Sequence, residues 1–375
     1  MNTLLVLSVP RCIEKITPLI ASLSAKGVVD CYHIGEMSEE TKWAGDKDIR
    51  RRFKARYRHL IKEFIEGPGF KHWGDDTVAR RAFEELDISN YDVVLVDDNR
   101  SERHLGFPKL SQMCRDNKVP LFGTPHANGN LTTLPVQNLN LYDYIFCYGP
   151  LDYNAYCKVN PAVSKRFIQG GYPPTQNIKT ALEFKNKKHI LCVLNLLGFR
   201  SKGVAGVQHH ADEEFIKKLK LGELQDKLGL PIIFKIKSRY YEKEHHDYDW
   251  KESVDYVSNL AKKEGLTYDT ITDCLDDTFL LLDSGAIVSC SPTMTLKALS
   301  TLNPVIHIAG SSMMGSIKQY PYLLDPDKDN LISMYESFDV KEVQHYMKHV
   351  LADDPINRYI WGITQVSEAY QNVRV

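Results

Sequence analysis

The segment Ser289-Cys290-Ser291-Pro292-Thr293-Met294-Thr295 places hydroxyls at alternate positions, between the apolar run Ala286-Ile287-Val288 and the helical pattern of Leu296, Lys297, Ala298 and Leu299. A strand that enters a small polar turn and leaves as a helix exposes first-turn N–H groups, which suit an anion. Ser291, Thr293 and Thr295 are therefore expected to seat phosphate, although the same residue types also serve as plain helix caps. Lys235, Lys237 and Arg239 alternate along and just past the apolar run 232–236, so they share one face and can offset a diphosphate. His126 follows the apolar Leu121-Phe122 within the turn-forming Thr124-Pro125-His126-Ala127-Asn128-Gly129. An imidazole, with a pKa of about 6.5, can take the proton of an attacking alcohol, which makes His126 the candidate catalytic base; a structural loop histidine is the alternative.

The densest charge lies in 50–59, where Arg51, Arg52, Lys54, Arg56 and Arg58 form a basic helical face whose pattern continues through 60–65. Such a face suits an anionic acceptor polymer, lipid headgroups or nucleic-acid phosphates, or else is simply solvated. Asp97-Asp98-Asn99 reads as turn and cap chemistry at a strand end. His245-His246-Asp247 reads as a polar loop, and none of the eight cysteines stands at zinc spacing, so no metal is expected.

These groups need a frame to hold them. Apolar runs at 4–9, 28–34, 91–96, 119–123 and 144–148, separated by helical spacing, describe a parallel sheet covered on both faces. The same βαβ grammar restarts at 189–194 and continues at 231–236, 270–272, 286–289 and 304–308. The expectation is an α/β chain of two Rossmann-like domains with an inter-domain cleft: 1–168 for the acceptor, a linker at 169–188, 189–350 for the donor, and a C-terminal helix at 351–375 packing back across the domains. Gly171, Tyr172 and Pro173 in the linker are the expected hinge. The length of 375 residues suits two cores, and a net charge of -1 gives no global attraction to nucleic acid or anionic membrane. No run of about 18 apolar residues occurs and the start, lacking a basic leader, reads as a strand. The eight cysteines are scattered in a chain too large to need a disulfide framework, so a reduced, cytoplasmic setting is expected, with peripheral contact at the inner face of a membrane left open.

The order of an acidic loop (Asp276-Asp277), strand, Ser/Thr turn, helix and Asn303-Pro304-Val305-Ile306 resembles the C-terminal half of two-Rossmann, GT-B-type nucleotide-sugar glycosyltransferases. Within that group, His126 in its turn and Gly170-Gly171-Tyr172-Pro173 resemble the CDP-glycerol glycerophosphotransferase family. The chain departs from the pattern at Ala127, where that family has glycine, and at Lys235-Ile236-Lys237-Ser238-Arg239, where it has Lys-x-His-Pro. Lys297 stands where many related transferases carry a glutamate, at the usual ribose contact.

The resemblance implies transfer of a sugar or polyol phosphate from a UDP- or CDP-linked donor to a hydroxyl on a glycan, lipid-linked or polymer acceptor, as in surface polysaccharide synthesis, with no added cofactor. A sugar-nucleotide epimerase of the same architecture and a non-catalytic nucleic-acid-binding or scaffold protein are the alternatives.

Overall fold

The computed structural model describes residues 1–7, 13–33, 46–67, 81–97, 106–125, 140–159, 161–194, 217–236, 250–271, 277–309 and 315–374. The chain divides into two compact units: the first holds most of 1–176 together with Lys348–Val375, the second holds Asn177–Met347.

In the first unit, β1 (Thr3–Leu7), β2 (Val29–His33), β3 (Glu63–Glu66), β4 (Val93–Val96), β5 (Leu121–Gly123), β6 (Tyr144–Cys147) and β7 (Phe167–Gln169) form one sheet in the order β3-β2-β1-β4-β5-β6-β7. Every pairing is parallel. Central strands such as Val93-Val94-Leu95-Val96 are buried along their whole length, as a sheet covered on both faces requires. The helices are α1 (Ile13–Ser24), α2 (Asp46–Tyr57), α3 (Phe107–Asp116) and α4 (Pro150–Val159). Helix α1 buries Ile13, Ile16, Leu19, Ile20 and Leu23. Pro18 lacks the N–H that Glu14 O would otherwise accept, and the Thr17 hydroxyl donates to that carbonyl instead, at 3.1 Å.

The basic helix stops at Tyr57, and the stretch 60–65 that the spacing assigns to it instead contributes to β3. Ile61 N–H closes the end of the helix on Tyr57 O at 3.0 Å. Phe64 then packs against Phe53 and His33, with ring centroids 6.0 and 6.2 Å away. On an edge strand the flanking Glu63 and Glu66 can remain exposed.

The second unit repeats the plan. After α5 (Pro174–Thr180) come β8 (His189–Leu194), α6 (Leu221–Leu228), β9 (Ile232–Ile236), α7 (Trp250–Lys263), β10 (Tyr268–Ile271), α8 (Thr278–Leu282), β11 (Ser284–Ser289), α9 (Pro292–Leu299), β12 (Val305–Ile308), β13 (Leu323–Leu324), α10 (Leu331–Glu336) and α11 (Val340–Val350). The sheet order is β10-β9-β8-β11-β12-β13, again parallel. Renumbered within each unit, both sheets run 3-2-1-4-5-6, with a seventh strand added at the end of the first, which is the doubly wound order with its reversal between the first and fourth strands. The expected α/β architecture with two Rossmann-like units is thus present.

One face of the second sheet is apolar: Ile190, Cys192, Leu194, Phe234, Ile236, Ala286, Val288 and Ile306 pack with Leu224, Val257 and Leu260. The last helix, α12 (Pro355–Arg374), belongs to the first unit. Its Tyr359 ring stacks on Phe146 with centroids 3.8 Å apart. No described helix is long and apolar enough to cross a membrane.

Candidate phosphate seat of the second unit

The other face of the second sheet carries polar side chains in one row. Lys235, Val193, Ser289 and His307 are successive partners across β9, β8, β11 and β12, close to the carboxyl ends of those strands. Partners in a parallel pair point to the same side of the sheet, and α9 lies over this row. Each polar member holds the helix or its entry. Ser289 Oγ accepts the Ser291 N–H at 3.0 Å and donates to Ser291 O at 3.2 Å. His307 Nδ1 meets Thr295 Oγ1 at 2.8 Å. Lys235 Nζ donates to Asp277 Oδ2 at 2.9 Å, and the other oxygen of Asp277 takes Lys297 Nζ from α9.

Ser291 occupies the N-cap of α9 with an extended backbone, φ -98° and ψ 113°, and its hydroxyl makes no capping hydrogen bond. Pro292 fills the first helical position, where an absent N–H costs nothing. The N–H groups of Thr293 and Met294 lie in the first turn, where the helix supplies no carbonyl for them; the Thr295 N–H is the first to close, on Ser291 O at 2.9 Å. Ser291 and Thr293 are half-buried. Two hydroxyl-bearing residues and two N–H groups thus lie at the positive end of a short helix, a set of groups that can hold an oxyanion.

Thr295 does not join them. It is fully buried and its hydroxyl is committed to His307, so it supports the turn from behind. Lys235 is likewise buried and directed to Asp277. Burial alone would raise the Asp277 carboxyl, but Lys235 and Lys297 outweigh it and hold the acid well below the usual carboxylate range. His307 is kept neutral by burial, with its pKa lowered to about 4. Sequence reasoning missed His307 and the role of Asp277, which is quoted above only as part of an acidic loop. The available signal was a histidine within the apolar run Val305-Ile306-His307-Ile308, a costly place for an unpartnered polar group.

In the first unit, buried polar groups also collect at the carboxyl edge: His33, Asp97 and Thr124 end or follow their strands. Lys15 of α1 is buried and donates to Pro125 O at 2.9 Å, fixing the backbone one residue before His126. Burial, then Arg50 and Lys54, lower the His33 pKa to about 3. Lys54 pairs with Glu66 of β3, while Arg51, Arg52, Arg56 and Arg58 are exposed. His126, Lys237, Arg239, Asp98, Asn99 and the group at 245–247 lie outside the described residues. Among the described residues, no group of three or more His, Cys, Asp or Glu could hold a metal ion.

Gly171 takes φ +83°, and a Cβ there would lie 2.8 Å from both Ala352 O and Pro355 Cβ. Tyr172 is buried, with its ring edge-on to Tyr148 at 5.1 Å. Pro173 follows directly, leading into α5. Gly171 and Tyr172 therefore pack within the first unit, the former against its C-terminal segment.

No family model and no curated protein matches the chain. Solved structures do share its fold over almost the whole length. UDP-GlcNAc 2-epimerase from Neisseria meningitidis, bound to UDP-GlcNAc, is 14% identical with a TM-score of 0.58, and 99% of each chain is covered. MnaA from S. aureus, with UDP, is 12% identical with a TM-score of 0.59, covering 96% of this chain and 95% of that one. The wall teichoic acid polymerase TagF, with CDPG, is 10% identical with a TM-score of 0.50, covering 100% of this chain and 90% of that one. What these structures share with the chain is the fold, two parallel α/β units of GT-B type.

Proposed function

We propose that this protein is a transferase that takes a sugar or polyol phosphate from a nucleotide-activated donor and places it on an acceptor hydroxyl. The observation that carries the reading is the start of α9: Ser291, Thr293 and two first-turn N–H groups at the carboxyl edge of a doubly wound sheet, where such folds bind nucleotides. Structures of the same fold hold UDP, UDP-GlcNAc and CDPG, which supports a UDP- or CDP-linked donor. Lys235 and Lys297 contribute positive potential from below the seat, and Lys237 and Arg239 extend it. His126 takes the acceptor proton as the hydroxyl attacks, and the nucleotide leaves as its diphosphate or monophosphate. Gly171, Tyr172 and Pro173 serve as the hinge. No metal or further cofactor enters this scheme.

The exposed Arg51, Arg52, Arg56 and Arg58 suit an anionic acceptor, whether glycan, lipid-linked or polymeric, and would hold the enzyme near an anionic membrane surface. The second reading, a UDP-sugar epimerase, is supported by the UDP-GlcNAc 2-epimerase structure of this fold and needs no acceptor. Thermal shift against UDP-, CDP-, GDP- and ADP-linked compounds identifies the donor, since ligand at 100 times its Kd stabilises by about 2.7 kcal/mol. Incubation with UDP-GlcNAc alone then separates the two readings: an epimerised product without acceptor rejects the transferase.

A further inference from the structure

We infer that His307 is a positioning residue for the phosphate seat, fixing the first two turns of α9 through Thr295. The inference rests on the reading of α9 as the donor-phosphate site and adds a residue that touches no ligand.

Helix α9 has only eight residues, too few to be stable without tertiary contacts. Its polar anchors differ in where they act. Ser289 holds the Ser291 backbone ahead of the helix, and Asp277 holds Lys297 at its far end. Between them, the contact of His307 with Thr295 fixes the part of the helix that follows directly on Thr293 and Met294. His307 itself cannot drift, because it belongs to β12 between partners Ser289 and Leu323.

The proton can be placed. His307 Nε2 is buried and has no hydrogen-bond partner among the described residues. Burying an N–H without an acceptor is costlier and rarer than burying an unused lone pair. The single ring proton therefore sits on Nδ1, and His307 donates to Thr295 Oγ1. An asparagine side chain can reproduce a donor at the Nδ1 position; phenylalanine fills the ring volume but cannot donate.

The test is calorimetric titration with UDP and, separately, CDP of the full-length wild type and of His307→Phe, His307→Asn, Thr295→Val and the double variant His307→Phe/Thr295→Val. Both single losses are expected to weaken nucleotide binding about tenfold, with the double variant no weaker than the weaker single, as for two ends of one interaction. His307→Asn should recover affinity to within about threefold of wild type, equivalent to under 1 kcal/mol. If His307→Phe does not fold, the near-isosteric Thr295→Val decides alone. Wild-type affinity in folded Thr295→Val or His307→Phe overturns the role of His307 and leaves the phosphate site standing. Wild-type protein that binds neither nucleotide overturns the phosphate site and the positioning role together.

Discussion

Lys297 of α9 is buried against Asp277, the residue that begins α8, and Lys235 of β9 meets the same carboxylate from the sheet. One acid thus joins a strand, a helix start and the last turn of the candidate phosphate helix, all at under a tenth exposure. Removing one member of a buried charge cluster leaves the others poorly compensated. Asp277→Asn is therefore expected to lower unfolding free energy by about 3–5 kcal/mol in denaturant titrations. Lys297→Glu should destabilise at least as much, because it sets a second carboxylate beside Asp277. A stability change under about 1 kcal/mol in either variant would show that the cluster is solvated.

A second expectation concerns the linker. Gly171→Ala must place a methyl 2.8 Å from Ala352 O at a positive φ, and should cost about 2–3 kcal/mol. Gly229→Ala is the control: it has φ +63° but nothing within 4 Å of the new Cβ, so it pays only the backbone strain of about 1 kcal/mol. Equal melting temperatures for the two variants would mean that the close packing at 352–355 yields freely.

The pH dependence of stability should have two opposed parts. Asp152 of α4 is buried and its pKa is raised to about 7 by desolvation. Between pH 4 and 7 the folded state therefore holds a proton that the unfolded chain releases, and stability falls as pH rises through that window. His307 and His33, lowered to about 4 and about 3, act the other way: the unfolded chain takes protons first, so stability is lost as pH falls below about 6.5. Asp152→Asn should stabilise by on the order of 3 kcal/mol at pH 8, with the gain shrinking toward pH 4 and the acid-side loss remaining. A gain independent of pH would assign the effect to packing instead of the buried carboxyl.

His126→Ala should abolish transfer while leaving nucleotide affinity within about twofold, since a base acts on the acceptor and not on the diphosphate. Transfer at the wild-type rate in that variant would remove His126 from the mechanism.

Much of this architecture is legible in the sequence because buried parallel strands read as unbroken apolar runs: Val93-Val94-Leu95-Val96 and Ala286-Ile287-Val288 need no neighbour to declare themselves. Edge strands do not. β3 carries glutamates at both ends and β13 has two residues, so neither shows a period, and the former looks like the continuation of a basic helix. The Ser291 turn is visible as strand, hydroxyls and helix. What spacing cannot show is which hydroxyl faces out: Thr293 and Thr295 look alike in the chain, and only the placement of His307 on the neighbouring strand turns Thr295 inward. Lys235 reads as a phosphate ligand for the same reason, because its partner Asp277 lies 42 residues away.

The central claim is that the start of α9 grips a diphosphate, and Thr293→Glu tests it most directly. A carboxylate in the first turn favours the helix dipole, so the fold should be kept or slightly strengthened, while the same charge repels phosphate. Calorimetry with UDP and CDP should show binding to the wild type and an affinity at least about 100-fold weaker, near 2.7 kcal/mol, in the variant. Equal affinity in a folded Thr293→Glu protein would contradict the account.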